Sequence, residues 1–284
     1  MTRPDKDAPP PNQFGTNIPS WLQRWALRAT HKLPASYIGR KAASALLGLT
    51  GGRRRKSYDV TIFGTQKARL HPYDNICEKR VYATPQMWDA REREILKSHI
   101  ERSADNQFYF VDAGANVGLY TLFGKAIAEL AKKDFRAICI EPDPQMRKRL
   151  SFNLTASDAN TMVQIFAYAL ATTRRTLRFT INEKSRGMSH VDDDGALPVQ
   201  GATLTDIIMR ETNFDRIDAL KIDIEGSELE VLEGFFSESN RDLHPRLVIV
   251  EISHADDAQG IFDLFAHNNY QLVYSNNLNA VFAV

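Results

Sequence analysis

The chain has 284 residues, of which 43% are hydrophobic and 10% aromatic, and its 36 Lys and Arg side chains nearly balance 35 Asp and Glu side chains. This composition is typical of a globular protein and excludes a wholly disordered chain. Two cysteines, Cys77 and Cys139, are too few for a disulfide framework and form no C-x-x-C zinc pair. The sequence shows neither a run of ~20 apolar residues nor a secretory signal, so a cytoplasmic location is expected.

Charge is unevenly distributed along the chain. Residues 21–56 carry nine Lys and Arg side chains and no Asp or Glu, whereas residues 57–284 carry 25 basic and 33 acidic side chains. The sequence therefore predicts an acidic body preceded by a basic arm. Residues 1–17 are polar and rich in Pro, which predicts a disordered tail.

The basic arm, residues 18–56, has the pattern of two helices. The first follows Ser20, and Pro34 can begin the second because Pro is tolerated in a first helical turn. Gly51 is then expected to end the second helix. The arm precedes a segment, residues 57–106, that is predicted to form a β-hairpin and a further helix.

Two interpretations of the arm remain open. Its basic side chains, together with Trp21 and Trp25, suit helices that lie on an anionic membrane surface, which would make the protein peripheral at the membrane. Alternatively, the helices pack on the body or on a second subunit of a homodimer, with residues 53–56 as a solvated linker.

In the segment 57–106, apolar and polar residues alternate on both sides of Gly64, which predicts a hairpin over residues 58–70. A helix is predicted over residues 84–103, with Thr84 as its candidate N-cap.

Beyond residue 107, apolar strands alternate with helices, which predicts an α/β fold. The sheet is expected to be mainly parallel and covered by helices on both faces. The last two strands have no helix between them and should form an antiparallel hairpin at one edge. An insertion, residues 171–201, interrupts the pattern and contains one strand-like stretch. The predicted strands of this domain, residues 107–284, cover residues 108–114, 136–142, 163–171, 218–226, 246–253, 270–276 and 279–284.

The first chemical motif follows the first of these strands and opens a helix. Gly114 and Gly118 allow a sharp turn and a close approach to a ligand, and the helix N-terminus supplies free N–H groups. The motif is not G-x-G-x-x-G, because Asn116 takes the place of the second Gly. Asp112 would repel a pyrophosphate but favour a cationic amino group.

Glu141, which ends the second strand, can accept hydrogen bonds from both hydroxyls of a ribose. NAD-dependent oxidoreductases share this feature and the strand-loop-helix pattern, so this class remains an alternative. Asn116 and the acidic Asp112 argue against it. The neighbouring Asp143 is expected to cap the following helix.

Three charged residues occupy alternate positions of the fourth strand. Lys221, Asp223 and Glu225 would therefore point to one face, where burial is costly unless the charges are paired or used. A structural Lys–Asp ion pair is the simpler interpretation. Glu251 and His254 follow at the end of the fifth strand and would face the same cleft.

These motifs, at residues 111–122, 140–144 and 220–234, resemble in order and spacing the FkbM family of S-adenosylmethionine-dependent methyltransferases. The resemblance covers about residues 108–253, and it implies the Rossmann-like class I methyltransferase sheet with an antiparallel last strand. It also implies that the methionine part of the cofactor is held by Asp112, Gly114, Asn116 and Gly118. Glu141 would hold the ribose.

The family typically methylates hydroxyl groups of sugars, polyketides or glycolipids, which implies a small-molecule, glycan or lipid acceptor. Ser189 matches a pattern near the family's acceptor or cofactor site, and Phe166, Ala167 and Tyr168 are candidates for contact with the adenine. Transfer to an alcohol benefits from a general base. The candidates are Asp223, Glu225, Glu251 and His254, with Lys221 in an orienting role.

Three further alternatives follow from the same residues. The clustered carboxylates could instead bind Mg²⁺, which is not favoured. A scaffold that has lost activity is disfavoured by the intact Asp112, Glu141 and Asp223. A nucleic-acid acceptor is not favoured: the Asn/Asp-Pro-Pro-aromatic signature of amino-group methylation is absent after the fourth strand, which argues against base methylation, whereas ribose methylation stays open.

Overall fold

The computed structural model describes residues 13–182, 190–191, 194–253 and 258–284. The arm contains two helices, α1 (Trp21–Thr30) and α2 (Tyr37–Thr50). Ser20 and Gln23 form a reciprocal capping box at the start of α1. The second helix begins at Tyr37, after the N-cap Ser36, because the chain from residue 31 to residue 36 forms turns and bends instead. It ends where Gly51 takes a left-handed conformation, as expected.

The hairpin is confirmed as β1 (Tyr58–Ile62) and β2 (Gln66–Leu70). The helix predicted for residues 84–103 is wrong in its first part, because residues 84–89 form a turn and the helix α4 (Ala90–Arg102) begins only after it. A further helix that was not predicted, α3 (Ile76–Ala83), precedes this turn. Thr84 is the C-cap of α3 rather than an N-cap. The short α3 lacks an apolar stripe and depends on a tertiary ion pair between its buried Glu78 and Arg149, which sequence periodicity does not reveal.

The remaining elements complete the body. In chain order they are β3 (Gln107–Ala113), α5 (Leu119–Leu130), β4 (Asp134–Ile140), α6 (Pro144–Ala156), β5 (Val163–Phe166), β6 (Tyr168–Leu170), β7 (Thr176–Thr180), β8 (His190–Val191), β9 (Leu197–Ala202), α7 (Leu204–Glu211), β10 (Ala219–Ile222), α8 (Glu228–Glu238), β11 (Leu247–Glu251), α9 (Ala258–His267), β12 (Gln271–Ser275) and β13 (Asn279–Ala283).

Seven strands form the main sheet in the order β12-β13-β11-β10-β3-β4-β5. Strands β11, β10, β3, β4 and β5 are parallel, and β13 pairs antiparallel with both β11 and β12. The mostly parallel sheet with an antiparallel last strand is therefore confirmed. Successive residues of β3 pack on opposite faces, with Phe110 in one apolar core and Val111 in the other. The sheet is buried on both sides, which explains its continuous apolar strands.

A smaller sheet has the order β6-β9-β7-β8. The prediction of a single strand over residues 163–171 is wrong, because the chain forms two strands, β5 and β6, separated by the exposed Ala167. Residues before this point extend the main sheet, and those after it pair with β9. The strand-like stretch of the insertion is confirmed as β7.

The arm contacts the body through one face. The hydroxyl of Tyr82 in α3 donates to the Thr50 carbonyl over 2.6 Å, and the Gln86 amide donates to the carbonyls of Thr30 and Leu33. Leu27 of α1 is buried with Tyr58 and Tyr82 in the main core. No helix in the described part of the chain is both long and apolar enough to cross a bilayer.

Candidate active site

A pocket opens at the carboxyl ends of the central strands, where ligands bind in open α/β sheets. It is bordered by β3, β4, β10 and β11 of the main sheet, by α3 and by residues of the smaller sheet. Eight of the predicted site residues lie at or beside this pocket: Asp112, Gly114, Asn116, Glu141, Lys221, Asp223, Glu225 and Glu251.

The glycine loop, residues 112–118, turns sharply between β3 and α5. A Cβ atom at Gly114 would lie 1.8 Å from the Asp223 carbonyl oxygen, and φ is +75° there. Gly118 has φ of +82° and lies against Leu150. Asn116 adopts φ of +52°, a left-handed conformation that Asn tolerates better than most residues. This tolerance explains how Asn replaces the second glycine of the dinucleotide motif.

Contacts from neighbouring elements hold the loop in place. The N–H groups of Gly114 and Ala115 donate to the Ile140 carbonyl, and the Asn116 N–H donates to the Glu141 carboxylate over 2.8 Å. The Asn75 amide, which also caps α3, donates to Oδ1 of Asn116 over 2.8 Å. The loop is therefore preorganised before a ligand binds.

The acids that end β3 and β4 are almost fully buried. Burial raises the pKa of Asp112 to about 6, although the Thr121 hydroxyl and N–H both donate to its Oδ2. Burial likewise raises the pKa of Glu141 to about 7, opposed by the N–H groups of Asp143 and Asn116. A cationic or hydroxyl-bearing ligand would stabilise the ionised forms.

Lys221 lies opposite Asp112 on the neighbouring strand and is buried. Its ammonium donates to Oδ2 of Asp223 over 3.0 Å and stands 5.5 Å from the Tyr120 ring centroid. Burial disfavours the charged form, but the charges of Asp223 and Glu251 outweigh it and raise the pKa of Lys221. The ion pair considered from the sequence is therefore present, and it faces the pocket.

Strand β10, the fourth of the strands predicted for this domain, ends at Ile222, so Asp223 and Glu225 belong to the following turn. The alternation predicted along the strand is wrong for Glu225, which adopts φ of +63°. Oxygen atoms of Asp223, Glu225 and Glu251, here called the carboxylate cluster, nevertheless lie within 4.8 Å of one another. Tertiary structure thus brings together what strand periodicity alone does not.

The carboxylate cluster holds protons tightly. Burial, followed by the charges of Asp223 and Glu228, raises the pKa of Glu225 to about 8. Burial, followed by the charge and hydrogen bond of Asp223, raises the pKa of Glu251 to about 9, and the Ser253 hydroxyl donates to Glu251 over 2.6 Å. Near neutral pH, Glu225 and Glu251 are therefore mainly protonated.

Glu228 has a structural role. It is the first residue of α8, and its buried carboxylate accepts hydrogen bonds from the N–H groups of Ile224 and Gly226. These contacts fix the turn that presents Asp223 and Glu225 to the pocket.

Sequence reasoning missed several pocket residues on α3, in the turn before α4 and on α5. Asp89 adopts φ of +40°, is half-buried near Lys221, and accepts a hydrogen bond from the Tyr120 hydroxyl over 3.0 Å. Burial raises its pKa. Trp88 and Arg80 also line the pocket. The left-handed backbone at Asp89 has no sequence signature, so only the structure identifies this side chain.

Three of the predicted residues that the structure describes do not line the pocket, namely Gly118, Phe166 and Ala167. Ala167 is exposed between β5 and β6, whereas Tyr168, a candidate for the same contact, borders the pocket. Ser189 and His254 lie outside the described residues.

Comparisons with known proteins agree with this geometry. A family model, the methyltransferase FkbM domain, matches residues 112–272, which is more than half of the chain. Methyltransferase sdnD of Sordaria araneosa is 32% identical in an alignment of 177 residues, and the match covers 50% of this chain and 66% of that protein. The chain therefore spans just under two thirds of this relative's length.

Two solved structures are also similar. Methyltransferase FkbM from Methylobacillus flagellatus aligns with a TM-score of 0.47 at 18% identity, covering 74% of this chain and 55% of that one. The methyltransferase domain of METTL16 aligns with a TM-score of 0.49 at 10% identity, covering 91% of this chain and 87% of that one.

The strand order, the glycine loop and the acidic strand ends define a Rossmann-like class I methyltransferase fold. Within that class, the chain belongs to the FkbM family of S-adenosylmethionine-dependent methyltransferases.

Proposed function

We propose that the protein transfers a methyl group from S-adenosylmethionine to a hydroxyl oxygen of a sugar, glycolipid or secondary metabolite. One observation carries the proposal: a preorganised glycine loop with two buried acids shares a single pocket with the carboxylate cluster and Lys221. The first half suits the methyl donor, and the second half suits an acceptor that must lose a proton.

The residues of the glycine loop fit the methyl donor. Gly114 leaves room where any side chain would collide with Asp223. Asp112 would accept from the cationic amino group, and Glu141 would accept from the ribose hydroxyls. When bound, S-adenosylmethionine supplies an electrophilic methyl group, so the chain itself needs chiefly to align and deprotonate the acceptor.

Asp223 is the proposed general base. The Lys221 ammonium, 3.0 Å away, stabilises its carboxylate form. Glu225 and Glu251, whose pKa values are about 8 and about 9, remain protonated near neutral pH and are poor bases there. Asp223 would accept the hydroxyl proton as the acceptor oxygen attacks.

A divalent cation is not needed in this proposal. Lys221 already supplies a positive charge inside the carboxylate cluster, and Glu225 and Glu251 carry protons that a cation would have to displace. We therefore expect turnover to survive dialysis against EDTA. A loss of turnover restored by Mg²⁺ would contradict this step.

A hydroxyl is favoured over an exocyclic amine as the acceptor. The chain after β10 reads Asp-Ile-Glu-Gly at residues 223–226, not Asn/Asp-Pro-Pro-aromatic. A carboxylate beside an ammonium can remove an alcohol proton, which an amine acceptor does not require before attack.

Calorimetric titration with S-adenosylhomocysteine and with NAD tests the donor half. We expect binding of the first and not of the second, and the reverse result would contradict the proposal.

The acceptor half is tested by incubating the protein with labelled S-adenosylmethionine and panels of sugars, glycolipids and hydroxylated metabolites. Label recovered as a methyl ether is the expected product, and label on nitrogen would contradict O-methylation.

A further inference from the structure

The outer face of the arm exposes large apolar side chains on ordered helices. In α1, Trp21 and Trp25 are 74% and 61% exposed. They lie one turn apart, and the exposed Arg28 continues the same stripe at the next turn. The exposed Leu22 and Ile18 lie beside them.

The second helix of the arm has a similar outer face. Tyr37 is 68% exposed and Ile38 is 78% exposed. The ammonium of Lys41 stands 5.5 Å from the Tyr37 ring centroid, and Leu49 is also exposed at the end of the helix. Apolar and cationic groups are therefore interleaved on both helices.

These side chains do not belong to a loose segment. The Gln23 amide donates to the Tyr58 hydroxyl over 3.2 Å, and Nε2 of His31 lies 2.9 Å from the Tyr82 carbonyl oxygen. The body thus holds the inner face of the arm and presents the outer face to its surroundings. Apolar patches rimmed by charge on a rigid surface mark sites of protein or membrane contact.

Charge identifies the occupant. All nine basic side chains of residues 21–56 are exposed, and the same segment has no acidic residue, so the segment itself carries only positive charge. A second copy that docked through the same face would place like charges together, which is unfavourable. Aliphatic Ile18, Leu22 and Ile38 suit acyl chains and offer nucleic-acid bases no ring to stack on.

We propose that this outer face is a docking surface for an anionic lipid bilayer. It consists of Ile18, Trp21, Leu22, Trp25, Arg28, Tyr37, Ile38, Lys41 and Leu49. Aromatic side chains enter the interface while Arg and Lys bind lipid phosphates, as in other interfacial helices.

Docking would also position the active site. α3 contacts both α1 and α2, and its Ile76, Cys77 and Arg80 line the pocket. Only one helix, about 10 Å across, separates the arm from the pocket wall. An acceptor carried by a lipid would then be within reach, a consequence that rests on the proposed function, whereas the docking itself does not.

Tryptophan fluorescence of the full chain tests the docking. The chain has three Trp residues, and Trp88 is buried, so a change on adding vesicles reports Trp21 and Trp25. Phosphatidylcholine vesicles with about one third phosphatidylglycerol should shift the emission to shorter wavelength and carry the protein into the pellet. Neutral vesicles should bind at least about tenfold more weakly, and salt should weaken binding to the anionic ones.

Two double variants separate the apolar and the charged contributions. W21A/W25A and R28A/K41A should each lower the partition coefficient by about tenfold or more. L130A/M209A is the matched control, because both residues are exposed apolar side chains outside the arm, and it should bind as the unmodified chain does. S-adenosylhomocysteine binding should be unchanged in all three variants, which shows that they are folded.

Several results would overturn the proposal. One is equal binding to neutral and anionic vesicles, and another is equal binding of W21A/W25A and the control. A dimer that W21A/W25A dissociates, with no vesicle binding, would show an interface between copies instead. Binding to a single-stranded oligonucleotide, lost in W21A/W25A and without vesicle binding, would show a nucleic-acid surface.

Discussion

The two halves of the pocket control their acidic groups by different means. On the side of β3 and β4, Asp112 and Glu141 are held by N–H and hydroxyl donors from the glycine loop and α5, so each acid has fixed partners. On the side of β10 and β11, the carboxylate cluster is held by contacts among its own side chains and Lys221.

This difference corresponds to a difference in task. A site for a constant ligand, such as the methyl donor, gains from rigid backbone contacts that are formed in advance. A site that moves a proton needs groups whose protonation states depend on one another. The comparison therefore predicts that changes in the first half affect binding and stability, whereas changes in the second half affect turnover and its pH dependence.

The largest expected effect is that of Asp223→Asn. Loss of the general base should lower turnover by about 10²–10⁴-fold, while S-adenosylhomocysteine binding is retained, as measured by product formation and calorimetry. Asp242→Asn is a matched control because Asp242 is exposed and outside the pocket. Full turnover in Asp223→Asn would remove Asp223 from the mechanism.

Gly114→Ala should test the rigid half. The new Cβ would meet the Asp223 carbonyl oxygen in a left-handed backbone, so we expect a loss of about 3 kcal/mol of unfolding free energy and of donor binding. Gly64→Ala is the matched control, since Gly64 has φ of +88° but nothing within 4 Å of a Cβ. Its cost should be about 1 kcal/mol, from backbone strain alone. Equal losses in urea unfolding would show that the close approach at Gly114 is unimportant.

The pH dependence of donor binding tests the two acids in the donor half of the pocket separately. A cationic amino group favours ionised Asp112, whose pKa is about 6, so affinity for S-adenosylhomocysteine should rise as pH rises through this value. Asp112→Asn should bind about tenfold more weakly above this pH and should lose that part of the dependence. Ionisation of Glu141, whose pKa is about 7, should produce a second rise in affinity with pH, and Asp112→Asn should keep this rise. An unchanged pH profile in Asp112→Asn would contradict the assignment.

The smallest expected effect concerns stability. The pKa of Glu251 is raised from 4.5 to about 9, so the folded state binds a proton that the unfolded state releases. Between these values the free energy of unfolding should fall as pH rises, because the folded state holds more protons. Glu251→Gln should remove this contribution and unfold at higher urea concentration than the unmodified chain near pH 8. The exposed Glu94→Gln should leave the slope unchanged, and equal slopes in both variants would contradict the raised pKa.

Sequence alone predicted the sheet and one half of the site. Continuous runs of apolar residues in the sequence identify β3, β4, β10 and β11, because parallel strands buried on both faces have this composition. The glycine loop, Asp112 and Glu141 could be identified because strand ends and turns constrain which residue types are allowed there. The exposed cationic and aromatic pattern of the arm was likewise visible before its placement was known.

Tertiary structure decided the rest. Asp89 enters the pocket only through a left-handed turn between α3 and α4, and Glu225 joins the carboxylate cluster through another such turn after β10. Strand periodicity ends with the strand at Ile222, so it could not place Glu225. The sequence determined which elements exist and which acids end them, since these depend on local pattern. Side-chain proximity across turns, and with it the raised pKa values, arises only when distant elements pack together.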